Sequence, residues 1–216
     1  TREQVQDLKQ FGVDAVAQVE SVLTNELTQS INQHILGSIR TLGTDNVTAF
    51  DGANSFDITL AAASALTGGD TVASVHRQIL TQVLAAANLI ANRGRRGAGN
   101  FAVVGPQVAT VLQSVAGFVA NPMANTFSQS AGAIYPLGSV AGINVYTDPT
   151  LAWGDTNVTV GRKGDGNGPG LVFMPYLMAE SVQTIAEGTM APKIAVKSRF
   201  ALVEAGFHAE TQYVTF

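Results

Sequence analysis

The sequence predicts an α+β fold, with helices gathered in its first half and strands in its second. Two helical stripes and one long alternating strand carry that expectation. Val16, Val19, Leu23, Leu27, Ile31, Ile35 and Ile39 recur at spacings of three and four, the buried face of an amphipathic helix. Val72, Val75, Ile79, Val83, Ala86 and Ile90 repeat that period. From Pro192 to Val203 the period becomes two. Ile194, Val196, Phe200 and Leu202 then face one side, and Lys193, Lys197 and Arg199 the other. One face of such a strand packs, and the other meets solvent or a partner.

The remaining elements follow in order. Gly12 interrupts the first stripe early, Asp14 is placed to cap the helix that follows, and Gly43 to end it. A helix from Asp14 to Thr41 is a rod of roughly 40 Å, suited to a spine against which a sheet packs. Residues Thr44 to Gly69 are turn-rich, with a short strand at Ser55 to Leu60. Asp70 or Thr71 caps the second helix and Gly94 stops it. Phe101 to Gly105 reads as a brief buried strand. Pro106 opens a third helix carrying Val108, Val111, Leu112 and Val115, with Gly117 at its end. Asn121 to Ala133 reads as an exposed loop. Gly142 to Asp148, Val158 to Gly161 and Leu171 to Tyr176 read as strands between turn clusters.

Composition narrows the function. The 216 residues are enough to bury a real core. Charged residues make up only 13% and apolar residues 46%, against a usual charged share of about a quarter. A surface so poor in charge is either covered by partner subunits or belongs to a compact Ala- and Gly-rich monomer. The net charge of −4 argues against a dedicated nucleic-acid binder, which must neutralise many phosphates; passive contact through a local basic patch stays open. No cysteine is present, which removes disulfide frameworks and thiolate metal sites. Thr1 to Gln10 is polar and helix-like, not a secretory signal. The most apolar window, Phe101 to Ala120, contains Pro106, Gln107, Gln113 and Ser114 and makes a poor membrane span. A soluble chain without a membrane partner is expected, and Asn46-Val47-Thr48 and Asn157-Val158-Thr159 read as chance glycosylation triplets.

Three features invite a chemical reading. Gly161-Arg162-Lys163-Gly164-Asp165-Gly166-Asn167-Gly168-Pro169-Gly170 looks like a phosphate cradle. A P-loop, however, needs a hydroxyl residue after its lysine and then a helix. Here Gly164 follows Lys163 and the next element is a strand, so an inter-strand loop is expected. Arg93-Gly94-Arg95-Arg96-Gly97 is partly helix C-terminal chemistry. Its arginines also suit a neighbour's carboxylate or a phosphate, with a neighbour or a structural loop favoured by the acidic net charge. His34, His76 and His208 lie far apart without companion ligands at metal spacing. No Gly-x-Ser-x-Gly elbow occurs. No catalytic residue, metal or cofactor is therefore expected, and the chain is read as a non-enzyme.

Several segments in register carry a family resemblance. Gln6-Asp7-Leu8-Lys9, Gly12-Val13-Asp14-Ala15 and the striped helix through Ile31-Asn32 are similar to the spine helix and its approach in the major capsid proteins of T-even-type tailed bacteriophages. Arg93-Gly94 with Gly99-Asn100-Phe101-Ala102-Val103 resembles that family's helix exit and Gly-Asn-Phe strand. Val145-Tyr146-Thr147-Asp148, Val160 to Gly164, Met174-Pro175-Tyr176 and Pro192-Lys193 to Ser198-Arg199-Phe200 follow in the family's order. The resemblance covers nearly the whole chain. His208 to Phe216 departs from it by lacking an Asn-Pro-Phe-like ending, and the family's N-terminal arm and extended loop would precede Thr1.

The resemblance implies a tailed-phage (Johnson, or Hong Kong) capsid fold. Its peripheral domain would take residues 1–75 and 171–216, the spine helix plus the long C-terminal strands. An inserted axial domain would take residues 76–170. The function implied is that of a major capsid protein assembling into hexamers and pentamers of an icosahedral or prolate head around double-stranded DNA. It further implies location in the virion, assembly in the host cytoplasm, non-specific contact with packaged DNA, and scaffold, portal, vertex or decoration partners. Lys193, Lys197, Arg199, Arg93, Arg95, Arg96, Arg162 and Lys163 become candidates for subunit interfaces. Three other readings stand beside it: an encapsulin-like compartment shell, a capsid vertex paralogue, and a small-molecule-binding enzyme using the Gly161–Gly170 loop.

Overall fold

The computed structural model describes residues 2–12, 14–44, 72–121, 134–164, 168, 170–188, 190–206 and 209–216. The strand expected at Ser55 to Leu60, the cap at Asp70 or Thr71, His208 and nearly all of the Asn121 to Ala133 loop lie outside them. The described elements are α1 (Arg2–Gln10), α2 (Ala15–Thr44), α3 (Val72–Gly94), β1 (Phe101–Val104), α4 (Pro106–Gln113), β2 (Phe118–Ala120), β3 (Tyr135–Val140), β4 (Ile143–Thr147), β5 (Val158–Gly161), β6 (Gly170–Ile185), β7 (Pro192–Ala205) and β8 (Tyr213–Thr215), with a 3-10 turn at Ala209–Gln212. This mixture of helix and sheet is the α+β class expected.

By compactness the chain forms two units: residues 1–36 with 172–203, and residues 37–171 with 204–216. Residues 37–44, 72–75, 171 and 204–216, grouped with the peripheral segments from sequence, cluster in the second unit. Local chemistry accounts for that. Arg40 pairs with Asp148 at 2.8 Å, and Gly43 lies so close to Thr215 that a Cβ would overlap its hydroxyl. Gly43 stands one residue before Thr44, the last described residue of α2. It is a glycine because a neighbouring strand passes over it.

In the first unit, Gly12 takes a left-handed φ of +74° and breaks α1 from α2. Asp14 Oδ1 then accepts the amides of Val16 and Ala17 at 3.1 and 3.3 Å, the cap that its position predicts. Strands β6 and β7 form a two-stranded sheet. They join at a turn in which the Ala186 amide donates to Ala191 O at 3.0 Å and the Met190 amide to Ala186 O at 3.1 Å. Exposure along β7 alternates residue by residue as its pattern predicts. Phe200, from the half-buried side, meets Phe173 at 5.4 Å and the His34 ring edge-on at 5.9 Å. Strand β6 is far longer than the expected Leu171 to Tyr176. Beyond Tyr176 it is almost wholly exposed, so no apolar alternation marks it. Its strand form is secured by backbone pairing with β7.

The second unit is a six-stranded mixed sheet in the order β2-β3-β4-β1-β5-β8. β1 is parallel to β4 and antiparallel to β5. Its core combines Ile79, Val83 and Ile90 of α3, Val108 and Leu112 of α4, and Val104, Val145 and Val160 of the sheet. Pro106 stands at the first turn of α4, where its missing amide costs nothing. That helix stops at Gln113, and Gly117, with φ of +93°, belongs to the turn beyond. Strands β2 and β3 escape the sequence patterns because Pro136 and Gly138 read as breakers. In the fold the register slips by one residue between them, the irregularity at which strands tolerate such residues.

Gly94 is the last residue of α3, yet the left-handed position belongs to Arg95, at φ +50°. A Cβ on Gly94 would come within 2.6 Å of Gln212 Nε2, so packing explains this glycine, not the helix stop. Gly37 is the opposite case. It sits inside α2, and a Cβ added there would meet nothing within 4 Å. Gly37→Ala should therefore raise stability by about 1 kcal/mol through helix propensity alone, seen as a higher thermal midpoint.

Candidate assembly surfaces

The interface candidates fall into one group in each unit. Lys193, Lys197 and Arg199 are exposed along β7. Lys197 Nζ lies 2.8 Å from Glu180 Oε2 with both side chains about half in solvent. Such a pair adds little stability, but it fixes a face. Since successive side chains on a strand alternate, Met174, Tyr176, Met178 and Val182 share Glu180's side of β6. Lys193, Arg199 and Val203 share Lys197's side of β7. All of these apolar residues are exposed, Tyr176 at 85%. The face named from its charges is thus an apolar stripe with a charged margin, the composition of a contact surface. The stripe was not legible in the sequence, where the expected strand runs only from Leu171 to Tyr176.

The second group gathers at one end of the six-stranded sheet. β1 begins there and β5 ends there, joined by the Asn100 amide donating to Gly161 O at 2.9 Å. The Asn100 side chain closes the corner, donating to Lys163 O and accepting from the Lys163 amide, both at 2.8 Å. Arg162 reaches across it. A Cβ at Gly97 would be 3.4 Å from its Nε, and one at Gly164 would be 3.1 Å from its Nη1. The helix exit Arg93 to Arg96 and the strand exit Arg162-Lys163, far apart in sequence, are therefore neighbours. Arg93, Arg95, Arg96 and Lys163 are exposed and Arg162 is half-buried. Arg162 Nη1 is buried without a hydrogen-bond partner among the described residues. Within the glycine loop, residues 165–167 and 169 lie outside the described residues, and the described elements on either side are the strands β5 and β6.

The opposite end of the sheet carries residues that the sequence did not single out. Asp148 follows β4 and is only 1% exposed. Its Oδ1 accepts the Thr150 amide at 3.0 Å and the Thr150 hydroxyl at 2.6 Å, and its Oδ2 accepts Arg40 Nη2 at 2.8 Å. Burial pushes its pKa up, but the hydrogen bonds from Thr150 and Arg40 together outweigh burial and hold it below its ordinary 3.8. The loop it starts presents Trp153, the sole tryptophan in the sequence, at 62% exposure. Elsewhere, burial raises the pKa of Tyr213, opposed by the Leu171 amide that donates to its oxygen at 3.0 Å.

His76 Nδ1 lies 2.7 Å from Ser114 Oγ, a contact from α3 to the residue that follows α4. Among the described residues no cluster of three or more His, Asp or Glu could hold a metal ion. No described helix is long and apolar enough to cross a membrane.

The described residues thus present two exposed charged groups on an α+β scaffold, one in each unit. The sequence model of the family described as "Major capsid protein Gp23" matches residues 1–215, essentially the whole chain. No curated protein matches it. The chain belongs to the Gp23 major capsid protein family, the T-even type to which its motifs are similar. It is a bacteriophage structural protein of the virion.

Proposed function

We propose that this protein assembles with copies of itself into the hexamers and pentamers of an icosahedral or prolate phage head that encloses double-stranded DNA. The observation that carries the reading is the family match over residues 1–215. The exposed Met174, Tyr176 and Met178 beside Lys193, Lys197 and Arg199 support it, because an isolated monomer gains nothing from leaving such a stripe in water. In this reading the work is repetition of weak heterologous contacts that close because their rotation closes. The spine helix and long strands, residues 1–75 and 171–216, form the peripheral domain, and residues 76–170 the axial domain. Assembly takes place in the host cytoplasm with scaffold, portal, vertex or decoration proteins. Contact with packaged DNA is non-specific, in keeping with the net charge of −4.

Electron microscopy of the purified full-length protein should show rings or shells, and a strictly monomeric protein would overturn the reading. Reversing both charges of β7, with Lys197→Glu and Arg199→Glu, should weaken assembly by about tenfold or more, because unlike pairs across a contact become like pairs. The thermal midpoint should barely move, since Lys197 is 60% exposed. Sedimentation and a thermal melt of the same sample separate the two effects. Equal loss in both would make the face part of the fold instead of a contact.

A further inference from the structure

Among the described residues, Trp153 is the most exposed large aromatic of the second unit, and it stands on a rigid support. The turn beneath it is closed by the Asp155 amide donating to Ala152 O at 2.9 Å. Asp155 Oδ1 accepts the Asn157 amide at 3.1 Å, and Asp148 fixes Thr150 on the other flank. Gly105 lets the loop seat on the start of α4, for a Cβ there would stand 2.5 Å from Asp155 O. A backbone turn tied in this way loses little freedom on docking, and tryptophans are prominent among the residues that anchor protein contacts.

The sheet relates the Trp153 loop to a second surface group. The Trp153 loop adjoins the end of β1, where the Asp148 amide donates to Val104 O at 3.0 Å. The Arg93 to Arg96 turn and Arg162-Lys163 adjoin the start of that same strand. One unit thus carries an exposed indole at one end and a cluster of guanidinium groups at the other. Arg95 heads that cluster in a left-handed conformation, which a residue other than glycine adopts at a cost of about 1–2 kcal/mol. Guanidinium planes stack on indole faces, so the two ends of the unit are chemically complementary.

We propose that Trp153 of one copy docks on the arginine corner of the next copy, Arg95 with Arg96 and Arg162, in a head-to-tail contact between axial regions. This rests on the reading of the protein as a self-assembling shell subunit. Two different patches of one subunit then meet, which is the heterologous geometry that builds rings.

The test uses the full-length protein and its tryptophan emission. On assembly the Trp153 emission should shift to the blue, and Trp153→Ala should raise the concentration needed for assembly about thirtyfold, as for a buried anchor. Its thermal melt should stay unchanged because the side chain is 62% exposed. Arg95→Gly with Arg96→Gln should raise it about tenfold, and glycine at position 95 relaxes the backbone, so misfolding does not explain the loss. Mixing the two variants gives the sharpest outcome. Neither assembles alone at the wild-type concentration, yet the intact indole of one meets the intact corner of the other, and capped pairs form. Particles that assemble with Trp153 emission unmoved, or variants that assemble as the wild type does, overturn this contact and leave the shell reading standing. A wild-type protein that stays monomeric at every concentration overturns the shell reading itself.

Discussion

Replacing Leu112 by alanine should cost about 3–5 kcal/mol, the loss expected of a fully buried leucine. Leu112 is fully buried, on the inner face of α4 among Ile79, Val83, Val108 and Val140 of one continuous core. α4 is only eight residues long, too short to hold helical form in water alone. Its stability comes from the face that Leu112 centres. Truncation removes buried methyl groups and leaves a cavity that helix and sheet together cannot close. Because a loss of this size takes a large part of a typical domain's stability, denaturant unfolding should show an early transition in the second unit. Amide exchange in α4 and β1 should accelerate to match. A loss below about 1 kcal/mol, the scale of a well-tolerated swap, would mean that α4 is not packed as described.

The helical half of the fold was legible because its signals are local. The stripes of α2 and α3, the Asp14 cap and Pro106 at the start of α4 each state a helix within one or two turns. Strand β7 was legible for the same reason, its alternation spanning the whole element. What could not be read depends on partners remote in sequence. Pro136 and Gly138 are breakers until β4 and β2 show where the register slips. Gly138 is needed because a Cβ would overlap Val119 O and the Phe118 ring, neither of which the sequence places nearby. The outer half of β6 has no buried face, so its residues carry no period at all.

The candidate surfaces divide in the same way. Lys193, Lys197 and Arg199 were legible as one side of a strand, and the Arg93 to Arg96 turn as a local cluster. Their companions were not. Met174, Tyr176 and Met178 join the β7 charges through the pairing of β6 with β7, which the Glu180–Lys197 contact puts on one face. Arg162 joins the helix exit only through Gly97. Trp153 is a single residue in a loop, and its importance lies in the ties that fix Asp155 and Thr150 beneath it.

Asp148→Asn should cost about 2–3 kcal/mol near neutral pH, because a buried carboxylate exchanges charge-assisted bonds from Arg40 and Thr150 for weaker ones. The partners are 108 residues apart in sequence, so the pair joins the last turns of α2 to the loop after β4 within the second unit. Arg40 keeps a quarter of its side chain in solvent while Asp148 keeps almost none. That asymmetry makes the guanidinium the costly charge to remove, because Arg40→Ala leaves a buried carboxylate with only Thr150 to oppose it, whereas the Arg40 left by Asp148→Ala reaches solvent. The pH dependence has a definite sign. Hydrogen bonds hold the folded-state pKa below 3.8 despite burial, so the unfolded chain takes up the proton first as pH falls. The stabilisation is therefore whole above the unfolded value and is lost as pH drops below it through the folded one. Wild type and Asp148→Asn should differ by a constant amount from pH 7 down to about 5 and converge only below 3.8. A gap that closed between pH 7 and 5 would require a raised pKa, and with it a carboxyl group dominated by burial instead of by Thr150 and Arg40. The loop that carries Trp153 starts from this same aspartate, so loosening it should also weaken assembly, in proportion to how far the indole is freed.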